Sequence, residues 1–240
     1  NQSSIFQATS RAWGKSMKTG TIHHHISDAL LLEYASGSLE ESWSLAVATH
    51  LALCPHCRAR LRLMEAAGGA LMDAAEPETA AVSEDASWAA LQARLQATDV
   101  KAAAKPAPAA PGAAQIPEPL RSYVGATFDD VPWRRLGLYA HQALLETEDK
   151  GIQVRLLRVD AGKPLPEHSH GGRELTLVLH GSFTSEGEVF GPGDFEEEDE
   201  DTLHQPVVGP ESECICLAVT DAPLRFQSRF MRVLQPLLDI

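Results

Sequence analysis

No apolar run in the chain approaches the ~18 residues that a membrane-spanning helix requires, so no transmembrane helix is expected. Positive charge is also in short supply. Twenty Lys and Arg stand against 33 Asp and Glu, a net charge of −13. Residues 21–100 carry 4 basic and 11 acidic groups, and residues 121–240 carry 11 and 21. Surfaces of that sign repel a phosphate backbone, which argues against direct nucleic-acid binding while suiting a basic protein partner. Cysteine is scarce too: four in 240 residues, in two close pairs, Cys54/Cys57 and Cys214/Cys216. A secreted disulfide scaffold would be denser and more dispersed. Residues 1–20 are polar and basic and lack the apolar core of a signal peptide. They read as a disordered leader, or as sequence ahead of a start at Met17. Paired thiols in such a chain point to metal or redox chemistry in the cytoplasm.

Residues 101–119, KAAAKPAPAAPGAAQIPEP, are mostly Ala and Pro and predict a semi-stiff linker between two domains, at 21–100 and 120–240. The first reads as helices. Ser27 can cap DALLLEYAS, which Gly37 ends. Ser38 with Glu41 has the spacing of a capping box for a second helix. Pro55 suits the first turn of a third helix, where its missing N–H costs nothing. A fourth helix from Ser83 brings Trp88, Leu91 and Leu95 to one face. So small a bundle needs a further restraint, and a metal is the usual one. The second domain changes period: IQVRLLRV, ELTLVLHGSF and ECICLAV are short β-rich runs between Gly/Pro/Asp/Glu turns. They predict a small antiparallel barrel or sandwich, with a helical period returning only in the tail SRFMRVLQPLL. The fold class is therefore multidomain α + β, an all-α bundle followed by an all-β domain.

Within HLALCPHC, His50, Cys54 and Cys57 lie four and three residues apart, spacings that bring side chains to one helical face. His56 points away from it. Thiolate and imidazole suit a tetrahedral structural zinc, which needs a fourth donor. His23, His24 and His25, just before the first helix, are the candidates. A thioredoxin-type dithiol would need a βαβ context that is missing here.

The run GKPLPEHSHGGRELTLVLHG has the spacing G-x5-H-x-H-x3-E-x6-G from Gly162 to Gly181. His168 and His170 share one strand face, and Glu174 opens the next strand. There Glu174, Thr176, Val178 and His180 alternate with Leu175, Leu177 and Leu179. With His204 downstream these residues offer three imidazoles and a carboxylate for a divalent metal, zinc first, although Fe, Mn, Ni or Cu would suit the same donors. The run EEEDED at 196–201 reads as a solvated acidic loop. Cys214 and Cys216 share a strand face and read as small buried side chains, with an oxidisable pair near the metal as the sharper alternative.

H-x3-C-x2-C on a small helical bundle with an upstream histidine resembles the zinc-binding anti-sigma domain, over about residues 21–97. The second run resembles cupin motif 1 at every defining position. A looser motif 2 follows at Gly187, Pro192-Gly193-Asp194 and His204, with Val208 where asparagine is frequent. Together they resemble the ChrR-type anti-sigma factors over nearly all of the chain after residue 20. The resemblance implies a cupin barrel in the second domain and His25 as the fourth zinc ligand. It implies a group IV (ECF) sigma factor as partner, as a 1:1 heterodimer held inactive by occlusion of its polymerase-binding surfaces. Release would follow oxidative stress, from singlet oxygen or peroxides, sensed through the cupin metal. Leu30, Leu31 and Tyr34 on the first helix and Trp88, Leu91 and Leu95 on the fourth are the expected contact surfaces. Such a protein is not an enzyme. The competing reading is a cupin-type metal-dependent dioxygenase or isomerase with an accessory zinc module, and a third is a sensor that responds to metal exchange.

Overall fold

The computed structural model describes residues 21–76, 83–97, 116–200 and 202–226. The expected leader, most of the linker and the helical period of the tail lie outside them. Among the described residues five helices come first: α1 (Asp28–Ser36), α2 (Glu41–Leu53), α3 (Pro55–Ala74), α4 (Glu84–Ala97) and α5 (Glu118–Val124). Local chemistry sets most of their ends. The Ser27 hydroxyl accepts the Leu30 N–H, and Gly37, left-handed at φ 72°, closes α1 by donating to the Tyr34 carbonyl. Pro55 occupies the first turn of α3. The pair Gly68-Gly69, expected to weaken that helix, leaves it unbroken to Ala74.

The capping box expected at Ser38 and Glu41 does not form. Ser38 donates its hydroxyl to the Glu33 carbonyl, finishing α1, and α2 begins without a side-chain cap of its own. Its N-terminus is capped by the β domain instead. Asp149 accepts the Ser42 N–H at 2.7 Å, and Glu41 accepts from the Glu148 N–H and the Tyr123 hydroxyl.

Twelve strands follow: β1 (Arg134–Arg135), β2 (Ala140–Leu145), β3 (Gln153–Val159), β4 (His168–Ser169), β5 (Glu174–His180), β6 (Phe183–Ser185), β7 (Glu188–Phe190), β8 (Phe195–Glu198), β9 (Leu203–His204), β10 (Val207–Val208), β11 (Cys214–Thr220) and β12 (Arg225–Phe226). They pair antiparallel in three sheets, ordered β1-β2-β3-β11-β5-β8, β10-β6-β7 and β12-β4-β9. The architecture is the helical bundle and β domain expected, but no closed barrel forms among the described residues.

Alternation along β5 and β11 gives the large sheet two faces. Val178, Cys214 and Cys216 face Phe183, Phe190 and Val208 of the small sheet. Leu175, Leu177, Leu179, Leu217 and Val219 face the other way, into one core shared with Leu30, Trp43, Ala46, Val47 and Leu51 of the helices. Each fully buried leucine there stabilises the fold by about 1.5–3 kcal/mol. The helical module is thus docked on the sheet rather than held off by a spacer. The chain emerging from the expected linker is itself folded, with Ile116 and Leu120 completely buried in that core.

Candidate metal centres

Cys54 stands at the junction of α2 and α3, and its sulfur caps α3 by accepting the Cys57 N–H at 3.4 Å. Cys57 follows in the first turn of α3, His50 lies in the last turn of α2, and His25 arrives from the extended segment before α1. Ligand atoms of these four residues all lie within 4.8 Å of one another. His25 Nδ1 is 3.4 Å from Cys54 Sγ and 3.7 Å from Cys57 Sγ. His50 Nδ1 is 2.9 Å from the Gly193 carbonyl oxygen. A carbonyl only accepts, so Nδ1 carries the proton and Nε2 keeps its lone pair. That Nε2 is fully buried without a hydrogen-bond partner. An orphaned acceptor of this kind costs about 1–3 kcal/mol, which a cation in the cluster would relieve. The donors present therefore fit a tetrahedral S2N2 metal ion.

Burial pushes the His50 imidazole down to about 4, and burial followed by the neighbouring His56 and Arg60 charges lowers His25. Burial, with Cys54 beside it, pushes the Cys57 thiol up to about 11. Both imidazoles are thus ready as neutral donors, while the thiol must lose a proton to bind metal. Arg60 donates to the Ile26 carbonyl at 2.8 Å and pairs with Asp28, fastening the His25 segment to α3. Of the other histidines considered, His56 is exposed. His24 stacks on Phe190, and His23 and His24 give their backbone N–H groups to Asp194.

In the β domain, His168 on β4, His170 just after it and His204 on β9 converge. His204 Nε2 is 3.1 Å from His170 Nε2 and 3.2 Å from His168 Nε2. The second nitrogens are engaged from behind: His168 Nδ1 donates to the Pro166 carbonyl at 2.7 Å, and His204 Nδ1 meets the Ser185 hydroxyl at 3.0 Å. Such backing fixes the ring and leaves Nε2 for a metal. The Glu174 carboxylate does not join the three imidazoles at that point; it lies 3.1 Å from His170 Nδ1. Burial raises the Glu174 carboxyl, but His170 outweighs it and the net shift is downward. Burial lowers His170, and Glu174 in turn outweighs that and raises it. Burial and the neighbouring imidazoles depress His204 to about 4, and burial lowers His168 despite its Pro166 carbonyl bond.

The acidic run is not the solvated loop expected of it. Its first residues form β8, where alternation turns Glu196 and Glu198 inward, so that their carboxylates lie within 4.8 Å of His204. Burial and the Glu198 charge hold the Glu196 carboxyl up at about 8. The sequence signal that could have revealed this is the alternation Phe195-Glu196-Glu197-Glu198 directly after a Pro-Gly-Asp turn. Cys214 and Cys216 are buried with their sulfurs 3.5 Å apart, and that contact together with burial pushes the Cys216 thiol well up. His180 ends β5 exposed.

The expected partner-contact residues divide. Leu30 and Leu31 are completely buried, because α1 turns its apolar side into the shared core, so neither presents a surface. Tyr34 is half-buried against the same core. On α4, which buries no residue, Trp88, Leu91 and Leu95 are 59%, 43% and 64% exposed.

The family model described as the ChrR cupin-like domain matches residues 122–223. The anti-sigma-E factor ChrR of Cereibacter sphaeroides is 47% identical over 221 residues, 92% of this chain and all of that protein. Among solved structures, Rhodobacter sphaeroides SigE in complex with the anti-sigma ChrR matches at TM-score 0.68 and 46% identity, over 84% of this chain and 100% of the matched one. An RmlC-like cupin protein of Ralstonia eutropha JMP134 matches at TM-score 0.37 and 20% identity, over 43% of this chain and 71% of the other. By identity sustained along the whole of a relative, the chain belongs to the ChrR family of anti-sigma factors.

Proposed function

We propose that the protein holds a group IV (ECF) sigma factor inactive in a 1:1 complex in the cytoplasm and releases it under oxidative stress. The helical module, residues 21–100, binds the sigma factor. The β domain, from residue 120 onward, governs release in response to singlet oxygen or peroxides. The observation that carries this reading is the 47% identity to ChrR across that protein's full length. The exposed apolar side of α4, at Trp88, Leu91 and Leu95, supplies the contact surface.

His25, His50, Cys54 and Cys57 bind zinc, for which two thiolates and two imidazoles in a closed shell are a common structural set. The ion cross-links the start of α1 to the α2–α3 junction. His168, His170 and His204, with Glu174 completing the donor set, bind a divalent metal, zinc first. His168 and His204, lowered by burial, enter as neutral imidazoles, and the Glu174 carboxylate offsets part of the cation's charge. The protein acts by binding and not by catalysis.

Co-expression with a group IV (ECF) sigma factor from the same organism tests the reading. An equimolar complex is expected, and so is its dissociation by singlet oxygen. His168→Ala should retain the complex and fail to dissociate. Absence of a complex would contradict sequestration, and normal release from His168→Ala would contradict control by the β domain.

A further inference from the structure

Both metal clusters lie against one short stretch of the β domain, Gly191 through Glu198. Asp194, only 3% exposed, accepts the N–H groups of His23 at 2.6 Å and His24 at 2.9 Å through one carboxylate oxygen. Its other oxygen accepts the Gly191 N–H at 2.8 Å. The two held residues immediately precede His25, so fixing their backbone fixes where the His25 ring begins. The Gly193 carbonyl takes the proton of His50 Nδ1. The Phe195 ring stands edge-on to His50 at 5.4 Å, and its N–H donates to the His24 carbonyl at 3.2 Å. Gly193 permits this close approach. Its φ is +95°, and a Cβ there would lie 2.6 Å from Ile22 Cδ1.

We infer that Gly193 and Asp194 are positioning residues for the N-terminal metal centre, so that this cluster is completed from across the domain boundary. All four donor side chains belong to the helical module, but two of them, His25 and His50, are oriented by the β domain. Groups that orient metal-binding histidines change metal affinity by roughly 10- to 100-fold when removed. The arrangement gives the second domain a direct hold on the metal of the first. β8 continues from the same turn and presents Glu196 and Glu198 to the His204 cluster. Glu197, pointing the other way, accepts from the Ser27 N–H at 2.7 Å and Ser27 hydroxyl at 2.9 Å. It docks the domains without touching a metal donor, which makes it the natural control.

The inference rests on metal binding by His25, His50, Cys54 and Cys57, and the test separates the two. The full chain is loaded with cobalt(II), whose thiolate charge-transfer band reports the cysteine site alone, and challenged with a chelator. Asp194→Ala should weaken cobalt binding at that site by about 10- to 100-fold and leave the three-histidine site unchanged. Asp194→Asn keeps one acceptor oxygen, should fold if the alanine variant does not, and should show an intermediate loss. Glu197→Ala should leave the band's chelator resistance at the wild-type level. Wild-type resistance in both folded Asp194 variants would overturn the inference, as would an equal loss in Glu197→Ala, which would reduce the effect to domain docking. A wild-type chain with no thiolate band that Cys57→Ser removes would overturn the metal reading itself.

Discussion

In the N-terminal cluster two thiols and two imidazoles close on a single point, whereas in the β domain three imidazoles meet with carboxylates standing behind and beside them. The first set has three of its four residues at 0–1% exposure, and two of its rings are oriented by a different domain. The second has its backing groups, Pro166 and Ser185, inside its own domain. Sulfur donors in a sealed shell suit a structural ion that cross-links a small bundle. Nitrogen donors beside ionisable carboxylates suit an ion whose surroundings can change state. On the proposed reading, one centre holds and the other responds.

The strongest way to break the contrast is to remove the thiols. Cys54→Ser with Cys57→Ser should abolish one metal per chain and unfold the helical module, since structural zinc contributes on the order of 10 kcal/mol to small domains. Metal analysis and helical circular dichroism would check it, and a folded module without metal would end the structural assignment. Next in size, His204→Ala should remove the other metal while leaving helical content and the thiolate-bound ion intact, read by the same metal analysis.

Acidity should separate the centres more finely. Cys57, raised to about 11, is protonated at neutral pH, so metal binding there must expel protons and weakens as pH falls. His50 and His204, both near 4, stay neutral until far lower pH and add little to the slope. Between about pH 8 and about pH 6, affinity should therefore fall more steeply at the thiol cluster than at the histidine cluster, where His170 alone is shifted upward. Chelator competition at several pH values would measure both slopes, and equal slopes would count against the donor assignment. The smallest effect expected is from Glu41→Ala, which loosens the docked helices without touching either cluster. It should cost about 1–3 kcal/mol in thermal or denaturant unfolding and leave both metal affinities unchanged.

Much of this was legible in the sequence, and the failures are instructive. The helix starts at Ser27 and Pro55, the C-x-x-C pair and the two-faced β5 follow from local chemistry and periodicity. Spacing left His23, His24 and His25 open as the fourth donor, and the family resemblance pointed to His25. The structure brings only His25 into the cluster, because Asp194 holds the backbone of its two neighbours. Asp194 is 171 and 170 residues from His23 and His24, contacts that no local pattern carries. Ser38 and Glu41 have capping-box spacing, but the end of α1 claims Ser38 and the β domain claims Glu41. An acidic run reads as solvated until one knows that β8 passes the histidine cluster, and an Ala/Pro linker reads as separation although both sides share a core.

The most direct test of the division of labour is the affinity of the full chain for the proposed ECF sigma partner, titrated with each metal cluster removed in turn. The account predicts wild-type affinity for His204→Ala and no measurable binding for Cys54→Ser with Cys57→Ser. Binding retained without the thiols, or lost without His204, would contradict it.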